Sequence, residues 1–173
     1  MLNWLLKLFG DKSAQQEKHE LLVAYETALA TRLHEYQPLL EASFQRLFSS
    51  EFPLEMESLH IEIHIDEPGF SFCLHQNTQS GSLHREAKAV TDFNTEISEI
   101  CPIFGYDEYD QYMIWEPNEG SEHPQVALHQ PIDALKISDF AFPWFRNAIL
   151  KNKKLFDRKI TIGIHDHIES LEL

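Results

Sequence analysis

The sequence predicts an α+β fold: a single domain in which a long N-terminal helix (or helix pair) and further helices pack on a mostly antiparallel sheet. Three observations carry this expectation. Apolar residues recur at helical spacing from Leu22 to Phe48. Two strictly alternating runs follow, on either side of Glu67-Pro68-Gly69. A last alternating run, Ile160 to Ile164, comes after another helix-spaced stripe. Helices and strands in this order, without regular βαβ repetition, read as α+β.

The chain opens with MLNWLLKLFG, an apolar run interrupted by Lys7 and ended by Gly10 and Asp11. It has no basic leader and no small-residue cleavage site, so a secretory signal is not expected, and it is far shorter than a membrane span. Trp4, Leu5, Leu8 and Phe9 would give residues 1–9 an amphipathic membrane contact, but Lys7 and Lys12 are thin cationic cover for it. The sequence favours packing on its own domain or a neighbouring chain. Residues 1–12 are therefore read as a short apolar segment and 13–173 as the α+β domain.

Ser13, with Gln16 three residues on, has the pattern of an N-cap. Leu22, Tyr25, Leu29, Leu33 and Tyr36 supply the buried stripe, and Leu40, Phe44, Leu47 and Phe48 continue it. A helix is expected over about 14–49, kinked or restarted at Pro38. Next, Leu59, Ile61, Ile63 and Ile65 alternate with His60, Glu62, His64 and Asp66. Phe70, Phe72 and Leu74 alternate with Ser71, Cys73 and His75. Proline pre-sets φ and glycine permits positive φ, so the pair reads as an antiparallel hairpin.

Beyond a polar loop, Phe93, Ile97 and Ile100 are helix-spaced, with Asp92 as N-cap and Pro102 and Gly105 as the stop. Short strands are expected at 112–115 and 125–129, separated by the acidic loop 116–124. Ser138 or Asp139 should start the last helix, with Pro143 in its first turn. Lys151, Lys153 and Lys154 suit that helix's C-terminal end. With Arg158 and Lys159 they form a basic island that can also dock on the acidic middle of the chain.

The composition is that of a globular protein, and 173 residues suit one domain. The net charge of −14 repels nucleic acid and anionic lipid and favours encounter with a basic protein. Two cysteines make no disulfide framework, so a reducing, cytoplasmic location is expected with both thiols unpaired. Cys73 and Cys101 read as small buried apolar groups rather than nucleophiles. No G-x-S-x-G elbow and no phosphate-cradling glycine loop occurs. The sequence weighs toward a non-enzymatic protein without a cofactor.

Two function classes remain. From Ala89 to Leu135 there is no lysine or arginine, and acids interleave with aromatics. Tyr106, Asp107, Glu108, Tyr109, Asp110, Tyr112, Trp115 and Glu116 form the candidate partner-binding set. Aromatics give contact area and carboxylates give steering. In size and charge the chain is similar to immunity-type inhibitors that hold basic enzymes such as nuclease toxins, which implies an acidic binding protein.

The alternative is a small metal-dependent hydrolase. His60, Glu62, His64 and Asp66 share one strand face, about 7 Å apart per two-residue step. His165 and His167, with Glu169 beyond, share a face at the last strand. If the two strands are neighbours, His60, His64, His165 and His167 can converge as imidazole ligands. His165-Asp166-His167 does not match the order and spacing of the metallo-hydrolase His-x-His-x-Asp-His pattern.

Overall fold

The computed structural model describes residues 2–65, 69–78, 86–117, 125–129, 131, 134–166 and 170–173. Side chains of residues 2–13, 116–117, 125–129 and 134–135 lie outside that description. Helix α1 spans Leu2–Phe48, and strands β1 (Met56–His64) and β2 (Ser71–Thr78) follow. Helix α2 is Lys88–Ile97, and α3 is the single turn Tyr106–Tyr109, continued by a 3-10 turn, Asp110–Tyr112. Strands β3 (Ile114–Pro117) and β4 (Gln125–His129) precede helix α4 (Ala134–Asn152). A 3-10 turn, Lys153–Leu155, leads to β5 (Lys159–Ile164) and β6 (Ser170–Glu172).

The principal sheet has the order β2-β1-β5-β6. The expected hairpin forms: β1 and β2 are antiparallel, with Ile63 opposite Phe72 and Ile61 opposite Leu74. β5 runs parallel to β1, with Ile61 beside Ile162, and β6 returns antiparallel to β5. A separate ribbon pairs β3 with β4. The sheet is thus mostly antiparallel, and the fold is α+β.

Alternation decides which face of the sheet is buried. Leu59, Ile61 and Ile63 of β1 point inward with Phe72 and Leu74 of β2 and Ile160, Ile162 and Ile164 of β5. Against them pack Phe44, Leu47 and Phe48 of α1, Val90, Phe93 and Ile97 of α2, and Phe145, Ala148 and Ile149 of α4. Helix α2 also covers the outer edge of β2. The Asn94 side chain accepts from the Leu74 N–H (2.8 Å) and donates to the Leu74 carbonyl (2.9 Å). An edge that would otherwise template pairing with another chain is met there by one amide group.

Several local expectations are corrected. Helix α1 already runs from Leu2, so Ser13 lies inside it rather than at its N-cap. Pro38 lies within α1 and does not restart it. Proline removes the N–H that would bond His34; both residues are exposed, so the orphaned carbonyl has access to solvent. The same holds in α4, which begins at Ala134 rather than Ser138 or Asp139 and carries Pro143 in its interior on an exposed face.

Helix α2 starts four residues before Asp92, after Ala87, and stops at Ile97 before Pro102. Asp92 instead pairs with Lys88 one turn back. Tyr112 belongs to a 3-10 turn, and the strand there starts at Ile114. Gly69 has φ of 77°, as the predicted turn requires, while Glu67 and Pro68 lie outside the described residues.

Among the described residues, the contacts of the basic island lie away from the acidic middle of the chain. Lys151 pairs with Glu41 of α1, and Lys159 pairs with Glu172. Arg158 donates to the Pro53 and Met56 carbonyls at 2.8 and 2.7 Å. Among the described residues no helix is long and apolar enough to cross a membrane.

Candidate metal centre

The alternation that buries Ile61 and Ile63 turns His60, Glu62 and His64 to the outer face of the sheet. On β2 the same face carries Cys73 and His75, and register sets Glu62 opposite Cys73 and His60 opposite His75. On the other flank Glu62 lies beside Gly163, which has no side chain. The first residue beyond β5 is His165, whose N–H donates to the Ile63 carbonyl at 2.8 Å. That bond extends the parallel register by one step and sets His165 beside His64, with ring centroids 4.8 Å apart. The two histidine-bearing segments are therefore neighbours.

Five side chains meet over the middle of this face. Cys73 Sγ lies 3.5 Å from His64 Nε2 and 3.0 Å from His75 Nε2. Glu62 Oε2 lies 3.6 Å from His64 Nε2 and 3.1 Å from His75 Nε2. The other carboxylate oxygen, Oε1, accepts from His165 Nδ1 at 2.8 Å. Within each of two sets, Glu62 with His64 and His165, and Glu62 with Cys73 and His75, the ligand atoms lie within 4.8 Å of one another. The cluster sits at the solvent boundary: Glu62 and His64 are half-buried, and the His75 and His165 side chains are 47% and 48% exposed.

The surroundings set the protonation of these groups. The hydrogen bond from His165 holds the Glu62 carboxyl below its ordinary pKa; partial burial opposes this, and His75 adds to it. Burial pushes the Cys73 thiol up, and the charges of Glu62 and Glu86 act in the same direction. A thiol raised in this way is a poor nucleophile. A nucleophile–base–carboxylate relay also uses the two nitrogens of one ring separately. Here His64 and His75 each turn the same Nε2 to both sulfur and carboxylate. The groups gather around Glu62 in two sets of three, and thiolate, imidazole and carboxylate are the donor types of transition-metal sites.

Of the four histidines singled out from sequence, His64 and His165 join the cluster. His60 does not: its Nδ1 lies 2.8 Å from Thr161 Oγ1, and burial lowers its pKa. His167 lies outside the described residues, as do Asp66 and Glu169. Sequence reasoning placed Glu62 on this face beside His60 and His64 but missed Cys73 and His75 as candidate ligands. Their signal was the hairpin register, which makes Cys73 and His75 the cross-strand neighbours of a face already rich in ligand types.

The acidic-aromatic set is divided by the fold. Tyr109 is buried, at 9% exposure, and its ring meets Tyr25 at 6.2 Å. Tyr112 packs on Tyr25 at 5.6 Å and Phe104 on Tyr25 at 5.7 Å. Burial raises the Tyr25 phenol well above its ordinary value, with Tyr109 and Glu26 adding to it. Arg32 Nη2 donates to Glu108 at 2.6 Å, and its guanidinium lies 5.8 Å over the Phe104 ring. These contacts tie the segment to α1. Tyr106, at 65% exposure, Trp115, at 41%, and the carboxylates of Asp107 and Asp110 remain exposed. The Glu116 side chain lies outside the described set.

Searches against protein-family models, curated proteins and solved structures match nothing to this chain.

Proposed function

We propose that the protein binds a divalent transition-metal ion on the outer face of its sheet, at the cluster formed by Glu62, His64, Cys73, His75 and His165. The convergence of Cys73 Sγ, His64 Nε2, His75 Nε2 and Glu62 Oε2 from two paired strands carries this reading. Each member arrives through backbone hydrogen bonding of the sheet, so the ligands are largely positioned before an ion arrives. The test is equilibrium dialysis of the chelator-treated full chain against zinc, with metal content read by mass spectrometry. One ion per chain is expected, lost in the double variant His64→Ala with His75→Ala. A wild-type chain that takes up no ion under these conditions refutes the proposal.

A second reading, capture of a basic protein by the acidic segment, is supported by the exposure of Tyr106, Asp107, Asp110 and Trp115. It rests on a smaller surface than the sequence suggested, because Tyr109 and Tyr112 serve the core. Association should weaken with salt, since exposed charges are screened over about 8–10 Å near physiological ionic strength. Reversing Asp107 and Asp110 should slow association, while replacing Tyr106 should speed dissociation. If a bound partner's association rate is the same in low and high salt, this reading fails.

A further inference from the structure

We infer that the ion is held as a closed four-ligand centre of the zinc class. In it the Cys73 thiolate, His64 Nε2, His75 Nε2 and Glu62 Oε2 are the ligands, and His165 is a positioning residue that holds Glu62 by its second oxygen. This rests on the metal-binding reading and specifies its ion class and coordination.

The argument begins with the four distances. A tetrahedral ion with metal–sulfur bonds of about 2.3 Å and metal–nitrogen or –oxygen bonds of about 2.0–2.1 Å needs sulfur–nitrogen edges of roughly 3.5 Å and nitrogen–oxygen edges of roughly 3.3 Å. The sulfur–nitrogen pairs here are 3.5 and 3.0 Å, and the nitrogen–oxygen pairs are 3.6 and 3.1 Å. Each pair brackets or reaches its ideal edge. Holding one ion then requires the two sets that share Glu62, one with His64 and one with Cys73 and His75, to close on a single point.

The donors then select the ion. One thiolate, two imidazoles and one carboxylate suit a borderline-soft divalent ion, whereas magnesium and calcium demand sets built from oxygen. Four protein ligands also fill the coordination of a structural site, whereas a catalytic site keeps one position for water. The hydrolase alternative therefore loses to a closed centre that pins β2 to β1.

His165 has a different part. Its Nδ1 donates to Glu62 Oε1 at 2.8 Å, the carboxylate oxygen that His64 and His75 do not face. Its Nε2 lies 3.5 Å from Asp166 Oδ2, and Asp166 adopts φ of 62° in the turn after β5. Both ring nitrogens thus face carboxylates, an arrangement that orients a ligand rather than binding the ion.

Cobalt titration of the full chain tests this. Bound cobalt should give the intense visible bands of a tetrahedral ion and a near-ultraviolet sulfur-to-metal charge-transfer band. Cys73→Ser should abolish the charge-transfer band, and Cys101→Ser should leave it unchanged. His165→Ala should weaken zinc binding by about 10–100-fold with an altered cobalt spectrum. His165→Gln, which keeps an N–H donor, should recover much of that loss. Thermal unfolding of each metal-free variant checks that it folds.

No cobalt or zinc binding in the folded wild type defeats the metal-binding reading itself. Binding without the charge-transfer band, or with the weak bands of a six-coordinate ion, leaves that reading standing and overturns the closed thiolate centre. An unchanged affinity and spectrum in His165→Ala overturns the positioning role.

Discussion

His64 and His165, from distant parts of the sequence, stand with ring centroids 4.8 Å apart because His165 N–H bonds the Ile63 carbonyl. One backbone hydrogen bond beyond the end of β5 turns two separate polar faces into one. The parallel pairing of β1 with β5 is therefore the step that brings His165 to the candidate centre.

Metal should stabilise the fold. With zinc at a hundredfold excess over its dissociation constant, linkage adds about 2.7 kcal/mol, a rise in Tm of roughly 5–10 °C for a chain of this size. The His64→Ala with His75→Ala variant should show no rise. A wild-type Tm that ignores zinc would count against the centre.

The two faces of β1 should respond differently to truncation. Ile63 is fully buried, so Ile63→Ala should cost about 2–5 kcal/mol in urea unfolding. In metal-free protein, His64→Ala on the outer face should change stability by less than about 1 kcal/mol. Equal large losses would contradict a sheet with one face open to solvent.

Gly69 should be intolerant of a side chain. At φ of 77° an alanine costs roughly 1–2 kcal/mol from backbone conformation alone. Its Cβ would also meet the Phe104 ring at 2.9 Å and Ile103 Cβ at 3.0 Å. Gly69→Ala should therefore unfold at clearly lower urea than wild type, while Gly105→Ala, whose Cβ meets nothing within 4 Å, should behave much more mildly.

Buried and exposed tyrosines of the acidic segment should separate in the same way. Tyr109→Ala removes a ring packed on Tyr25 and should lower stability by about 3 kcal/mol or more, on the scale of other large aromatic truncations. Tyr106→Ala, at an exposed position, should remain within about 0.5 kcal/mol. Chemical denaturation of the two variants decides this, and near-equal midpoints would mean that Tyr109 does not anchor the segment.

Acid should destabilise the protein through identifiable carboxylates. Arg46 lowers the pKa of Glu96, and Lys151 lowers that of Glu41, each chiefly through a side-chain hydrogen bond. A carboxylate lowered in the folded state contributes stability above its ordinary pKa and loses it as pH falls through the folded value. Urea midpoints should thus drop between about pH 5 and pH 3. Glu96→Gln should begin less stable at neutral pH and lose less on acidification. A parallel pair of curves would remove Glu96 from this role.

By itself the sequence determined the α+β class, the β1–β2 hairpin, the alternation of β5, and the helical stripe that buries Tyr25, Leu29, Leu33 and Phe44. Each depends on local periodicity: a strand places every second residue on one face, and a helix repeats every three or four. Cap positions were less legible. Asp92 and Ser13 are good N-caps in isolation, but α2 starts four residues before Asp92 and α1 already runs from Leu2. Pro38 and Pro143 likewise stay inside helices because the carbonyls they orphan are exposed.

Only the tertiary structure decided which strands are neighbours. Nothing local in KITIGI says that β5 lies parallel beside β1, so the meeting of His165 with His64 and Glu62 is invisible to periodicity. The same is true of the acidic segment. Tyr106 and Tyr109 look alike in sequence, yet one is exposed and the other packs on Tyr25, because the Arg32–Glu108 contact fixes which side of the short α3 turn faces α1. Pairing between distant segments rests on non-local contacts, and these carry no signature in the spacing of neighbours along the chain.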